Sequence, residues 1–473
     1  MTARRLVLTV LAAGCVAAGP ALATTYVMVD DPVLADQAAA VVDAQIVSVE
    51  PAPLAGRPAT DYTIEIERLI AGSAPGTTLI VRVPGGVRPD GIGFHVYGAP
   101  RFAPGERALL FLVPRTDGTF GILHLGLGAF HRTDRAGVPP LALRDLSETH
   151  EVVLPGTAPR PDRHRDRDYD AFADWLADRA DGIVRAPDYL VERPAGALQP
   201  VTGKFTLFDV AGLNLRWFQF DNGGAVDWYA HGGGQPGLSG GGFGEVQQAL
   251  RTWNNESKTP INLVYRGQTS ATAGFEDFDD RNTVLQNDPN GEIDGTFVCG
   301  SGGVLAIGGP WLDTSDRGSF RGVQYIRIAG GDVIMNDGIE CLLQFSTCPG
   351  ATVAEIYAHE IGHTLGFAHA CGDSQSPLCS SDPNLNDALM RASAHGFCWG
   401  PRLGTDDERA ARRLYEPPSG GGGPRGPNAP GGLAGELRPG FVELRWEDRS
   451  ENELGFRIYR SAGGGALAPL ATV

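Results

Sequence analysis

The chain lacks several features that mark common classes of protein. Its 473 residues carry no excess of basic side chains, since 56 Asp and Glu outnumber 39 Lys and Arg and the formal net charge is −17. This balance argues against a nucleic-acid partner, because binding to phosphates needs a basic face. After the amino-terminal segment, no apolar run reaches the roughly 18 residues that a membrane-spanning helix requires. The sequence therefore predicts neither a nucleic-acid partner nor a membrane span.

The cysteines are few and clustered. Apart from Cys15, all six lie between residues 299 and 398, and no C-x-x-C pair occurs among them, which weakens a cysteine metal site. An even, clustered set in an exported chain predicts disulfides. Close spacing favours Cys341–Cys348 and Cys371–Cys379, which would leave Cys299–Cys398, but the sequence alone does not choose among the pairings.

The first residues have the pattern of a secretory signal peptide. Arg4 and Arg5 precede an apolar run over residues 6–18, and small residues at Ala21 and Ala23 suit a cleavage site. We therefore expect residues 1–23 to be removed near Ala23 and the protein to be secreted into the extracellular space. A membrane anchor and a lipoprotein linked through Cys15 are the alternatives, although the residues before Cys15 make a poor lipobox.

A chain of this length predicts two or three domains. Residues 24–155 have branched, alternating runs separated by Gly and Pro, which predict an all-β domain, either a small barrel or a sandwich. Residues 156–199 are expected to form a linker with one short amphipathic helix that packs on a neighbouring domain through apolar residues, namely Tyr169, Phe172, Trp175 and Leu176. Three scattered histidines of the β domain, His95, His124 and His131, are interpreted as structural or surface residues.

Residues 200–417 mix helical and strand-like patterns, so we expect an α+β domain. Helices are predicted over residues 243–256, over residues 352–366 and from a capping box that starts at Thr405. Strands are predicted over residues 261–265, 304–307 and 324–328, with residues 331–336 as a further candidate. A Pro/Gly-rich linker then covers residues 418–432.

The last segment, residues 433–473, has strand-like alternation. Its sequence Leu444-Arg445-Trp446-Glu447-Asp448, followed by Asn452-Glu453-Leu454-Gly455-Phe456, resembles the first half of a fibronectin type III domain. That resemblance implies a β-sandwich, which needs roughly 100 residues. We therefore expect a partial, truncated β-sandwich at this end.

The strongest chemical pattern lies within the second predicted helix. His359 and His363 stand one turn apart on one helical face, where both imidazoles can reach a single ion. Gly366 permits a sharp turn, after which His369 can approach as a third ligand. Three ligands leave a fourth position open for water, and Glu360 beside it can act as the general base. The pattern predicts a catalytic zinc site.

These eleven residues match HExxHxxGxxH, so the segment resembles the metzincin zinc metallopeptidases. Ala388-Leu389-Met390 is similar to the methionine turn of the matrixin branch, the matrix metalloproteinase type, which implies a mixed twisted sheet, an active-site helix and Met390 beneath the metal. Two positions depart from vertebrate matrixins: Ala370 replaces a serine or threonine, and Arg391-Ala392 replaces Tyr-Pro. No cysteine lies between the signal peptide and Cys299, so the family's thiol switch is absent.

The resemblance implies a secreted zinc endopeptidase that acts on protein or peptide substrates by attack of a zinc-activated water with Glu360 as base. In the family the substrate extends along an edge strand, and residues 331–336 are the candidate edge here. Calcium is a weaker expectation, at the acidic segments 288–294 or 276–280. The alternatives are a secreted adhesion protein with a structural zinc centre and a zinc hydrolase acting on another bond, such as a cell-wall crosslink. The sequence does not indicate an oligomeric state or a natural substrate.

Overall fold

The computed structural model describes most of the chain between residues 24 and 417. The described ranges are 24–52, 58–88, 90–135, 138–146, 149–153, 166–191, 207–210, 212–372, 379–396 and 398–417, with the backbone of four more strands between 431 and 472. The predicted signal peptide and most of the Pro/Gly-rich linker lie outside these residues. Within them the protein is a mixed α+β structure with more strand than helix.

Seven α-helices occur in the described part of the chain. They are α1 (Asp31–Gln37), α2 (Tyr169–Ala180), α3 (Phe243–Asn254), α4 (Glu340–Phe345), α5 (Pro349–Thr364), α6 (Pro383–Asn386) and α7 (Thr405–Tyr415). The helices predicted over residues 243–256 and 352–366 and from Thr405 are confirmed as α3, α5 and α7.

The first strands, up to the linker, are β1 (Thr24–Val27), β2 (Ala40–Pro51), β3 (Ala59–Gly72), β4 (Thr78–Pro84), β5 (Gly86–Val87), β6 (Ile92–Phe94), β7 (Arg107–Pro114), β8 (Phe120–Ile122), β9 (Ala129–Arg135), β10 (Val138–Leu143), β11 (Thr149–Glu151), β12 (Asp166–Asp168) and β13 (Leu190–Val191). The later strands are β14 (Asp209–Val210), β15 (Leu213–Arg216), β16 (Val226–His231), β17 (Leu263–Thr269), β18 (Asn282–Leu285), β19 (Gly303–Phe320), β20 (Val323–Met335), β21 (Gly431–Arg438), β22 (Phe441–Glu447), β23 (Arg457–Arg460) and β24 (Ala468–Thr472).

The amino-terminal part contains a small closed barrel. Strands β7, β2, β3, β4 and β8 pair in that order, and β8 pairs back onto β7 to close the ring. Leu79, Val81 and Val83 of β4 are buried inside, whereas Ile80 between them is exposed, so the alternation follows the pleat. Of the two predicted architectures, barrel or sandwich, the barrel is the one that forms.

The helix α2 covers the extension of this barrel sheet. The Asp168 side chain caps its amino terminus by accepting a hydrogen bond from the Ala171 N–H at 2.9 Å. Its apolar face joins one buried cluster with strand residues such as Phe111 and Phe130. The prediction of a short helix that packs on a neighbouring unit is confirmed, and the four predicted side chains are all buried, namely Tyr169, Phe172, Trp175 and Leu176.

A second sheet supports the histidine helix. Its strand order is β17-β16-β18-β20-β19, in which the first four strands are parallel and β19 is antiparallel to β20. α3 and α5 pack against each other over this sheet, where the Trp253 indole N–H donates to the Ala358 carbonyl at 2.8 Å. The Trp253 ring also stacks on Phe367, with centroids 4.9 Å apart. This packing fixes α5 relative to the strands.

The predicted substrate-binding edge over residues 331–336 was wrong. Residues 331–335 continue the single strand β20, and Val333 pairs with Val284 of β18 on one side and with Gly308 of β19 on the other. The side chain of Asp332 is buried and accepts hydrogen bonds from the Trp311 indole and the Thr283 backbone, both at 2.7 Å. An interior strand cannot take up a peptide; beyond β20 the sheet continues through β19 and β1 to β11.

The amino-terminal part contributes strands to this second sheet. β1 pairs antiparallel with the outer side of β19, β11 pairs parallel with β1, and β6 pairs with a later stretch of β19. The two parts also share buried apolar contacts: Phe94 packs against Phe275 and Trp311, with centroids 3.9 and 4.9 Å apart. Residues on both sides of the linker therefore meet in a common core.

Three disulfides join the six clustered cysteines. The pair Cys371–Cys379 is as expected, but the other two pairs are Cys299–Cys341 and Cys348–Cys398, so that part of the expectation was wrong. Cys341 and Cys348 stand at opposite ends of the short helix α4 and its connection to α5. Each therefore faces a different neighbour, despite its closeness in sequence.

The carboxyl-terminal strands form two separate antiparallel pairs, β21 with β22 and β23 with β24. They agree with the strand-like alternation of the sequence; the sandwich that the fibronectin resemblance implies stays a prediction. In the part of the chain described here, no helix combines the length and apolar character needed to cross a bilayer.

Candidate metal centre

Helix α5 presents two histidines from its last two turns. The helix starts at Pro349, whose missing N–H costs nothing at a helix start. It is buried along nearly its whole length between the sheet and α3. His359 and His363 are fully buried and share one face, with ring centroids 4.6 Å apart. Their spacing in sequence thus becomes a spacing of one helical turn at the site.

A left-handed residue ends the helix and redirects the chain. Gly366 has φ of 94°, and a Cβ there would stand 2.8 Å from the Leu215 carbonyl oxygen, so both conformation and space require glycine. The Gly366 N–H donates to the His363 carbonyl at 2.9 Å. The chain then runs back past the helix end and brings His369 to the other two histidines, as predicted.

The three imidazoles aim one nitrogen each at a common point. The Nε2 atom of His359 lies 3.0 Å from Nε2 of His363 and 3.3 Å from Nε2 of His369. The Nδ1 atoms of His359 and His363 lie 2.8 and 2.9 Å from the carbonyl oxygens of Leu389 and Phe367. Carbonyls only accept, so these Nδ1 atoms carry the protons and the facing Nε2 atoms carry lone pairs.

This arrangement fits a metal ion. Lone pairs at such short separations repel unless a cation lies among them, and tetrahedral zinc with bonds of about 2.0–2.1 Å would separate its ligand nitrogens by about 3.3 Å. Burial lowers the pKa of both His359 and His363 well below the usual value, which favours the neutral form that binds metals. Among the described residues, these three histidines are the group that could hold an ion.

Glu360 lies beside the three histidines in a confined space. One carboxylate oxygen, Oε1, accepts a short hydrogen bond from the Thr25 hydroxyl, whereas the buried Oε2 has no hydrogen-bond partner in the protein. Burial raises the pKa of this carboxyl well above its usual range. Gly308 of β19 lies so close that a Cβ would stand 2.7 Å from the Glu360 Cβ. An orphaned carboxylate oxygen next to three converging nitrogens is suited to holding a polarised water.

A turn that contains Met390 forms the floor of the site. A Cβ added to Gly362 would meet the Met390 sulfur at 2.4 Å, so the turn packs directly beneath the helix. The Asp407 carboxylate accepts hydrogen bonds from the backbone N–H groups of Leu389 and Met390 at 2.7 and 3.0 Å. Burial raises the pKa of Asp407 to about 6. Asp407 therefore fixes the same turn whose Leu389 carbonyl orients His359.

The capping-box pattern was misplaced by one residue. The cap of α7 is Gly404, whose N–H donates to the Asp407 carboxylate at 2.7 Å, rather than Thr405 with Glu408. The sequence shows a cluster of acids at a helix start but not that one of them turns inward. Asp407 is therefore a positioning residue that the sequence interpretation missed.

Neither the family-model search nor the search of curated proteins finds a match to this chain. The assignment of the site therefore depends on its own geometry.

Two further residues at the site come from the amino-terminal part and were not predicted. The His150 ring lies against that of His359, with centroids 4.0 Å apart, and its Nδ1 is 3.3 Å from the Thr25 hydroxyl. No sequence pattern links either residue to the zinc motif. The three histidines interpreted as structural do have partners outside the site: His95 contacts Arg101, His124 contacts Gln37 and His131 contacts Glu106.

The segment after Met390 departs from vertebrate matrixins, and its structure accounts for the side chains present. The Arg391 guanidinium folds back to donate to the Asn386 carbonyl at 2.8 Å and to the Ser393 hydroxyl at 2.9 Å. Behind it, the buried His395 lies 3.0 Å from the Glu355 carboxylate. This side of the site is thus lined by charged and polar groups, in contrast to its methionine floor.

The acidic loop over residues 288–294 uses its oxygens within the protein. The Asp288 carboxylate accepts from the backbone N–H groups of Glu292 and Ile293, both at 2.9 Å, and Asp294 forms an ion pair with Arg115. The Glu292 carboxylate accepts from the Phe275 N–H at 2.8 Å. These contacts explain the buried acids by turn formation, and a calcium site here stays a prediction.

Proposed function

We propose that this protein is a secreted zinc-dependent endopeptidase. The observation that carries the proposal is the convergence of three imidazole lone pairs beside a buried glutamate with one unpartnered oxygen. A purely structural zinc site needs four protein ligands and no base, whereas three ligands with a neighbouring carboxylate are typical of hydrolytic sites. The three disulfides and the sequence of the first 23 residues support export.

Each residue of the centre has a role in this proposal. His359, His363 and His369 hold the zinc, and the carbonyls of Leu389 and Phe367 fix the first two rings in the required orientation. Zinc in this position supplies Lewis acidity, which polarises a peptide carbonyl and makes a water more acidic.

Glu360 is the general base and then the general acid in this proposal. Its carboxylate accepts a proton from the water that attacks the peptide bond and donates it to the leaving amine. The raised pKa of the buried carboxyl favours this role, because a stronger base takes the proton more readily.

Strand β19 supports the choice of an extended peptide as substrate. One side of β19 pairs with β20 and the other with β1, so β19 would become an edge strand at this point if β1 left, and Gly308 of β19 lies directly beside Glu360. Such an edge can add an antiparallel strand through backbone hydrogen bonds. The chemical class of substrate is therefore a polypeptide in extended conformation.

The test compares the parent protein with Glu360→Gln. Zinc content is measured by atomic spectroscopy, and cleavage is measured by mass spectrometry of a peptide library before and after limited proteolysis of the enzyme. We expect one zinc per chain in both proteins and loss of at least about a thousandfold in cleavage rate for the variant, since the base contributes strongly to this chemistry. A zinc-loaded parent that cleaves nothing under either condition would instead support the adhesion protein with a structural zinc centre.

A further inference from the structure

Strand β1 lies where an extended substrate would have to bind. It runs antiparallel along the outer side of β19, with Thr25 opposite Ala306 and Tyr26 opposite Val304. The backbone of Gly302 makes this approach possible, because a Cβ there would stand 2.6 Å from the Val27 carbonyl oxygen. The side of β19 that faces away from β20 is thereby already paired at the metal centre.

Strand β11 closes the remaining space on the other side. It runs parallel to β1, with His150 opposite Thr25. Glu151 then joins the segment after the methionine turn: its N–H donates to the Ala392 carbonyl and its carbonyl accepts from the Ala394 N–H, both at 3.0 Å. A continuous ladder therefore runs from β19 through β1 and β11 to the opposite wall of the site.

Both strands place a side chain directly on the reactive groups. The Thr25 hydroxyl donates to the Glu360 carboxylate, and the His150 ring covers His359. Glu360 and the three histidines are at most 1 % exposed. Among the residues that the structure describes, these strands leave no path for a peptide to the four reactive residues.

We propose that β1 and β11 are an inhibitory segment that keeps the endopeptidase latent by filling its substrate groove; this inference rests on the proposed function. Thr25 binds Oε1 of the Glu360 carboxylate, so only Oε2 stays available to a water while β1 is in place. Activation requires β1 and β11 to leave together, because each is paired to the other. The arrangement assigns a role to Thr25 and His150 without any cysteine.

The experiment uses the zinc-loaded full chain and the variant Thr25→Pro. Proline removes the N–H that the ladder needs and the hydroxyl that binds Glu360. Thr78→Pro is the matched control, since Thr78 is exposed and is the first residue of the barrel strand β4. The probes are a short peptide hydroxamate, whose binding is measured by calorimetry, and 1,10-phenanthroline, which reports the rate of zinc removal.

We expect Thr25→Pro to bind the hydroxamate at least tenfold more tightly than the parent and Thr78→Pro do. We also expect 1,10-phenanthroline to remove zinc from Thr25→Pro at least tenfold faster than from either of them. Equal hydroxamate binding by the parent and Thr25→Pro would overturn the inference while leaving the endopeptidase proposal intact. Hydroxamate binding only by Thr25→Pro, without cleavage of any library peptide, would support the closed groove and contradict the endopeptidase.

A truncation that lacks residues 24–27 provides an independent variant in case Thr25→Pro does not fold. We expect it to bind the hydroxamate, and we expect a synthetic peptide of residues 24–29 to compete for that binding. The same peptide with Thr25→Val should compete more weakly, because it cannot donate to Glu360. Failure of both peptides to compete would contradict occupation of the groove by β1.

Discussion

The two faces of the metal centre differ in how far apart their residues lie in the sequence. The face that could hold an ion comes from eleven consecutive residues of one helix and the turn after it, His359 to His369. The face that covers it comes from the far end of the chain, since Thr25 reaches Glu360 across 335 residues. The first face is a local motif that can be recognised by spacing. The second depends on how the whole protein folds.

The largest effect should come from removing a residue of the local face. We expect His363→Ala to lose stoichiometric zinc, because two imidazoles cannot replace three ligands in a site that is otherwise buried. Zinc content after dialysis and the shift of the thermal unfolding midpoint on adding zinc provide the measurements. His131→Ala, on the barrel, is the matched control and should bind zinc normally. Full zinc retention by His363→Ala would show that the local motif alone does not hold the ion.

The second effect concerns the covalent links, which are confined to the histidine-bearing part of the described chain. Replacing Cys348 and Cys398 by serine opens a link across 50 residues and should lower the free energy of unfolding by about 4 kcal/mol. Replacing Cys371 and Cys379 opens a link across 8 residues and should cost about 2.5 kcal/mol. Urea unfolding measures both. A larger loss of stability on opening Cys371–Cys379 than on opening Cys348–Cys398 would mean that loop length does not determine how much each disulfide stabilises the protein.

The third prediction tests whether a residue that is not a ligand, Asp407, contributes to zinc affinity. Asp407→Asn replaces a carboxylate that accepts three backbone N–H groups by an amide that presents two hydrogens of its own. We expect zinc affinity to fall about 10- to 100-fold because the Leu389 carbonyl then orients His359 less well. Competition with a fluorescent chelator measures the affinity. The exposed Asp387→Asn is the control; equal affinities would restrict the site to its three histidines.

The smallest effect, taken per pH unit, is a dependence of stability on pH. Burial, with the neighbouring Asp407 charge, raises the pKa of Asp406 to about 8, above its usual 3.8. The folded state therefore binds more protons than the unfolded state between these values, and stability is lost as pH rises from about 4 to about 8. Near pH 6–7 this slope is at most about 1.4 kcal/mol per pH unit. Asp406→Asn should flatten it in urea titrations, and an unchanged slope would exclude Asp406 as its source.

The contrast between the local face and the covering face also explains which features the sequence could predict. The helices α3, α5 and α7 follow from apolar spacing and end signals, and the turn at Gly366 follows from the need for positive φ. The β structure of the amino-terminal part follows from alternation in strands such as β4, although alternation did not choose between a barrel and a sandwich. In each case the relevant forces act between neighbours in the chain.

The errors arose where distant segments compete for the same partner. Residues 331–336 were the candidate for the substrate-binding edge of the family, yet the Asp332 carboxylate is buried and accepts hydrogen bonds from Trp311 and Thr283. Cys341 and Cys348 are close in sequence, but each bonds a distant cysteine instead. Thr25 and His150 carry no local signal at all. Pairings of this kind depend on the relative position of complete elements, which spacing along the chain does not encode.

Strand β1 is hydrogen-bonded along both of its edges, to β19 and to β11. A strand held on one side can fray residue by residue, whereas one held on two sides releases little until both ladders break. Its departure should therefore be cooperative, with the metal centre either covered or open and few intermediate states. In such a system, small changes in the stability of the ladder alter the fraction of open molecules exponentially, so a single substitution in β1 can change that fraction by orders of magnitude.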